Sequence, residues 1–161
     1  MTDREQAEGD DPDELTRLVL PVPEVATVVP GAHIALLDPF LPASQVGAGV
    51  RGELREIFAE LVPFAFVLGE AARFPNGAAY LPPQPVGVLR RITATLRRAF
   101  PEVVGHPSSL HGSIPHLALT DEAAAAVPTP LEVHAREALL LRGAGSSVQV
   151  LATFRFGTSA A

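Results

Sequence analysis

Cysteine is missing from the 161-residue chain, and so are lysine and tryptophan; methionine and tyrosine occur once each. Without thiols there are no disulfides and no thiol nucleophile, and the commonest structural zinc ligand is gone. No apolar run approaches the roughly 18–20 residues that a membrane-crossing helix needs. The N-terminus is acidic and lacks a basic segment followed by an apolar one, so no secretory signal is expected. A cytoplasmic location is the resulting expectation. All twelve bases are arginine; biased codon usage is the plain explanation, and bidentate anion recognition the sharper one.

Charge is also scarce outside one segment. Residues 1–14 hold seven acids against Arg4, whereas residues 15–161 carry 11 acids and 11 bases. The first segment has almost nothing to bury and is expected to be a disordered acidic tail, solubilising or partner-binding. The neutral body argues against binding long duplex nucleic acid, which calls for a basic face. The chain is 47% hydrophobic, and segment 15–161 is long enough for a single domain with a core of its own.

Prolines punctuate the rest. "TRLVLPV" from Thr16 reads as a strand, and "AHIALL" (32–37) as a second one ended by Asp38-Pro39. Val50, Leu54, Ile57, Phe58 and Leu61 recur with the period of an amphipathic helix. Phe64, Phe66 and Leu68 alternate as in a half-buried strand; a turn at Asn76-Gly77 would join it to a second strand in a hairpin. Val86, Leu89, Ile92, Leu96 and Phe100 form another helical stripe, with Arg90, Arg91, Arg97 and Arg98 mostly outward. "HLALT" is a short strand, "DEAAAAV" a turn or two of helix. "LEVHAREALLLR" and "SVQVLATFRF" form a long hairpin in which Val148, Val150, Ala152, Phe154 and Phe156 share one face. The order predicts an α+β fold with mainly antiparallel sheets.

Two histidines stand in matching strands, His33 in "AHIALL" and His116 in "PHLALT". Residues i and i+2 face the same side of a strand, so His33 goes with Ala35 and His116 with Ala118. A buried imidazole without a partner costs roughly 1–3 kcal/mol. Two such burials make sense if both strands open onto one cleft, where one imidazole acts as base and the other as acid. The plain alternative is a pair of satisfied core histidines.

"HIALLDPFLP", "FVLGEAARFPNGAAYLPPQP", "SIPHLALT" and "VHAREALLLRGAGSSVQVLATFRFG" together resemble the 2H phosphoesterase superfamily, in its bacterial 2′-5′ RNA ligase-like branch, over residues 16–157. The resemblance implies a bilobal α+β fold: two mainly antiparallel sheets related by a pseudo-two-fold, helices outside, a central cleft. It implies acid–base catalysis by His33 and His116 on 2′,3′-cyclic phosphates or 2′-5′ phosphodiester links, without cofactor or metal. The family pattern is His-x-Thr/Ser, its hydroxyls holding phosphate; here Ala35 and Ala118 stand there. Two lost hydrogen bonds to a charged group remove about 3–6 kcal/mol, or on the order of 10²–10⁴ in rate. Asp38 replaces a frequent aromatic and would repel phosphate if it faced inward. The link from the first strand to His33, "PVPEVATVVPGA", is short where relatives usually place a helix.

Lesser candidates surround the pair. Arg73 and Tyr80, on a hairpin that the resemblance places beside the cleft, would grip an anion and either stack on a base or donate a hydroxyl; solvation and packing are the alternatives. His106 and His111 precede the second motif and would form a lid; their spacing is no metal signature. Thr120 or Ser113 would substitute for the missing hydroxyls. His134 reads as structural, and the helix arginines as a solvated face.

Three functions follow. The first is a divergent two-histidine phosphodiesterase acting on a small phosphodiester, a nucleotide or RNA end. The second is the same cleft repurposed to convert or bind a non-phosphate small molecule in a biosynthetic pathway. The third is a non-catalytic module binding nucleotides or a protein.

Overall fold

The apolar stripes and proline stops divide the chain into ten short strands and three helices among the described residues. The computed structural model describes residues 14–103, 115–143 and 147–157. Most of the expected acidic tail, and the segment with His106, His111 and Ser113, lie outside the described residues. Glu14 belongs to the folded body: its carbonyl accepts from Ala43 N at 2.9 Å and its carboxylate lies 3.5 Å from Arg142 Nε.

Strand β1 (Thr16–Pro21) and strand β2 (His33–Leu37) pair antiparallel. Their connection holds one 3-10 turn, Pro23–Val25, where proline presets the backbone. Helix α1 (Ala48–Ala59) buries Leu54 and Phe58, four residues apart on one face. Pro63 bars continuation, and β3 (Phe64–Leu68) follows. Next come β4 (Ala72–Arg73), β5 (Ala79–Leu81) and β6 (Pro83–Gln84). Helix α2 (Gly87–Ala99) turns Leu89, Ile92, Thr93 and Leu96 inward. Thr93 Oγ1 donates to Leu36 O at 3.2 Å, pinning α2 to β2. Arg97 and Arg98 complement the negative C-terminal end of that helix. Strand β7 (Leu117–Leu119) leads into the short helix α3 (Asp121–Ala126), then β8 (Leu131–Ala135), β9 (Glu137–Arg142) and β10 (Gln149–Arg155).

Two antiparallel sheets result, as expected, but they are unequal. Seven strands run in the order β10-β9-β1-β2-β7-β5-β4, and three in the order β6-β3-β8. One apolar core joins both to the helices, with Leu18, Leu20, Ile34, Leu54, Phe58, Leu68, Leu89 and Leu96 at 0% exposure. Phe58 is its hub, stacked on Phe154 at 5.6 Å and Phe156 at 6.0 Å between ring centroids. No helix among the described residues is long and apolar enough to cross a membrane.

Three strand readings need correction. The Asn76-Gly77 turn does not pair with β3; it joins the short β4 and β5 in the larger sheet, with Gly77 at φ +90°. The long hairpin strand is broken at Arg136: β8 pairs with β3 in the small sheet, and β9 pairs with β1 and β10 in the large one. A local alternation pattern cannot reveal that change of sheet. A bulge between Val150 and Ala152 also splits the expected common face of β10. An extra residue there rotates the strand, so Val150 is 56% exposed while Phe154 is 2% exposed. Arg51 Nη1, from α1, donates to Leu151 O within that bulge at 3.0 Å.

Removing the aromatic hub should be costly. Phe58→Ala is expected to lower unfolding free energy by about 3–5 kcal/mol, measured by denaturant titration; a loss below about 1 kcal/mol would refute this packing.

Candidate active site

The site is fixed by one cross-strand pair. Ile34 on β2 is paired with Leu117 on β7, antiparallel, and both side chains point into the core. Continuing that register by one residue each way sets His33 opposite Ala118 and Ala35 opposite His116. Neighbours along a strand alternate faces, so these four side chains share the opposite face. The histidines occupy one diagonal, a spacing of roughly 7–8 Å that is somewhat less between Cβ atoms. A local two-fold passing between Ile34 and Leu117 relates them. Both histidine strands are therefore neighbours inside the larger sheet. Each imidazole is half-buried, open enough to meet a solute.

Adjacent strands extend this face. Pro21 and Val19 lie opposite His33 and Ala35, and Tyr80 lies opposite Ala118. Ala72 lies opposite Tyr80, and Phe74 closes the turn by bonding its N–H to Ala78 O at 2.9 Å.

His33 Nδ1 lies 2.9 Å from Gly31 O. A carbonyl only accepts, so Nδ1 carries the hydrogen, and Nε2 holds the lone pair when the ring is neutral. Gly31 makes this possible at φ +72°, a left-handed conformation that a Cβ would penalise. His116 lies among aromatic rings. Its imidazole meets Phe74 edge-on at 4.9 Å and Tyr80 at 5.8 Å, while Phe74 and Tyr80 stack at 4.1 Å.

The other predicted site residues divide. Ala35 is half-buried and Ala118 exposed, so methyl groups floor the space between the imidazoles. Tyr80 joins them on the same face. Arg73 is one residue out of phase: it pairs with Ala79 on the opposite face. Its guanidinium donates to Gly77 O at 2.8 Å and meets Asp121 Oδ1 at 2.8 Å, an exposed pair worth at most about 1 kcal/mol. Asp38 is exposed beyond the end of β2, about 16 Å along the strand from His33. Thr120 caps α3, its Oγ1 accepting from Ala123 N at 3.1 Å. His134 sits exposed on β8, 3.3 Å from Glu132 Oε1. Arg90, Arg91 and Arg98 form the exposed face of α2, with Arg97 half-buried. No three His, Asp or Glu side chains gather to hold a metal ion among the described residues.

Phe74 and Gly31 are the participants that sequence reading missed. The signal for Phe74 was its place across the Asn76-Gly77 turn, in phase with Tyr80. For Gly31 it was a glycine two residues before a histidine.

The sequence profile of the 2′-5′ RNA ligase superfamily matches residues 12–151. Among curated proteins none matches the chain in sequence. TT0787 of Thermus thermophilus shares the fold with a TM-score of 0.61 at 20% identity, over 88% of this chain and 97% of that one. Escherichia coli LigT, crystallised with 3′-AMP, superposes with a TM-score of 0.60 at 17% identity, over 89% of this chain and 98% of its own. At these identities the two structures speak for the fold, and the profile, spanning most of the sequence, speaks for descent: the chain belongs to the 2′-5′ RNA ligase superfamily, the 2H phosphoesterases.

Proposed function

We propose that the protein hydrolyses a small phosphodiester, a 2′,3′-cyclic phosphate or a 2′-5′ link at a nucleotide or RNA end, with His33 and His116 as reciprocal acid and base. The observation that carries this reading is the diagonal pair of half-buried imidazoles on one sheet face. A phosphodiester bound between them is attacked by water. One imidazole takes the water proton as the new P–O bond forms. The other protonates the departing ribose oxygen as the old P–O bond breaks, and a phosphomonoester and a free hydroxyl result. Two imidazoles suffice for both transfers, and each positioned proton transfer contributes about 10²–10⁴-fold. The 3′-AMP bound to LigT supports the substrate class: such a monophosphate is what remains when the 2′ P–O bond of a cyclic phosphate opens. We assign the activity to the cytoplasm.

His33→Ala and His116→Ala should each lower turnover of a 2′,3′-cyclic nucleotide by about 10²–10⁴-fold, read by separating cyclic from linear nucleotide. Failure of the intact protein to open any cyclic phosphate or 2′-5′ link refutes the reading.

The methyl floor favours a second reading, conversion or binding of a less anionic small molecule. Neither Ala35 nor Ala118 offers a donor to phosphate. Restoring hydroxyls with Ala35→Thr and Ala118→Thr separates the two. A gain in phosphodiesterase activity of about 10²–10⁴-fold would mean that the native cleft serves such a ligand. A gain below about tenfold leaves the phosphodiester reading in place.

A further inference from the structure

A phosphoryl group between the two imidazoles needs a hydrogen-bond donor for the charge that builds on its oxygens in the transition state. The face around it supplies few. In the row through His33, the strands present Tyr80, Ala118, His33 and Pro21; in the row through His116, Ala35 and Val19 follow. Apart from the histidines, Tyr80 is the polar side chain of this block among the described residues. Three arginines of this region each hold a backbone carbonyl. Arg73 projects from the other face and holds Gly77 O and Asp121. Arg17 Nη2 donates to Gly143 O at 2.7 Å. Arg51 holds Leu151 O. Thr120 Oγ1 accepts from Ala123 N as the cap of α3 and stands beyond the end of β7.

Tyr80 is half-buried, one strand away from Ala118. Phe74 stacks on its ring at 4.1 Å, and its centroid lies 5.8 Å from that of His116. A single phosphoryl group can bridge that separation. A ring stacked on one neighbour and edge-on to another has little rotamer freedom left, so its hydroxyl is a preorganised donor.

Resting on the phosphodiesterase reading, we propose that the Tyr80 hydroxyl donates to a non-bridging phosphoryl oxygen, doing from β5 what neither Ala35 nor Ala118 can do from β2 and β7. The site would then be asymmetric: one donor from one side where the local two-fold would allow two. The stacked pair also leaves the ring of Phe74 to border the base or ribose, whereas the phenol recognises the phosphate.

Tyr80→Phe tests this, because it keeps the stacking and removes only the hydroxyl. Expected is a fall in kcat/KM on a 2′,3′-cyclic nucleotide of about 10- to 100-fold, with most of the change in kcat. Affinity for 3′-AMP, measured by calorimetry, should fall too, while affinity for adenosine stays unchanged; a merely stacking role would move neither ligand's affinity in this variant. Adding Ala118→Thr to Tyr80→Phe should recover at least tenfold of the loss, since it returns a hydroxyl to the adjacent position in the same row. Turnover and 3′-AMP affinity equal to the intact protein's overturn the donor role while leaving the two-histidine reading intact. If the intact protein turns over no phosphodiester, that reading fails by itself, and 3′-AMP binding then decides: binding that Tyr80→Phe weakens supports the donor, and binding that is absent or unchanged overturns it.

Discussion

The contact between Ile34 and Leu117 governs where the two histidines of this fold stand. Both side chains are driven into the core, at 0% and 1% exposure, and by alternation everything next to them is driven out. A slip of one residue in either strand would bury an imidazole and expose an aliphatic chain, a penalty on both faces. The hydrophobic effect thus sets the spacing of two polar groups it never touches. Thr93, bonded to Leu36 O, holds α2 against the back of the same strand, so the helix steadies the register from behind.

The two histidines, related by local symmetry, have different neighbours among the described residues. Gly31 O fixes the tautomer of His33 through a polar contact, whereas Phe74 and Tyr80 confine His116 through ring edges. The floor between the two imidazoles is methyl on both sides, so polarity in this cleft comes from its walls.

Much of the architecture was legible because it rests on local periodicity. The stripe from Leu54 to Phe58 and that from Leu89 to Leu96 name their helices, and the alternation of Phe64, Phe66 and Leu68 names β3. The pairing of His33 with Ala35 and of His116 with Ala118 was legible for the same reason. Partner choice was not. Nothing around Arg136 signals that the strand leaves one sheet for the other, because both halves alternate equally well. The phase of Arg73 was equally hidden: its face depends on the turn length at Asn76-Gly77, which shifts it away from Tyr80.

The guanidinium of Arg51 on the Leu151 carbonyl has a consequence for the molecule among its own copies. β10 is the outermost strand of the large sheet, and an outermost strand offers a ladder of vacant amides on which another chain can crystallise or polymerise. Here the ladder is broken near its start, with a kink in the rung spacing and a cation seated on the kinked rung. Valines 148 and 150 lie exposed just before that break, so the stickiest part of the rim adjoins the point where a stacking neighbour would lose its grip.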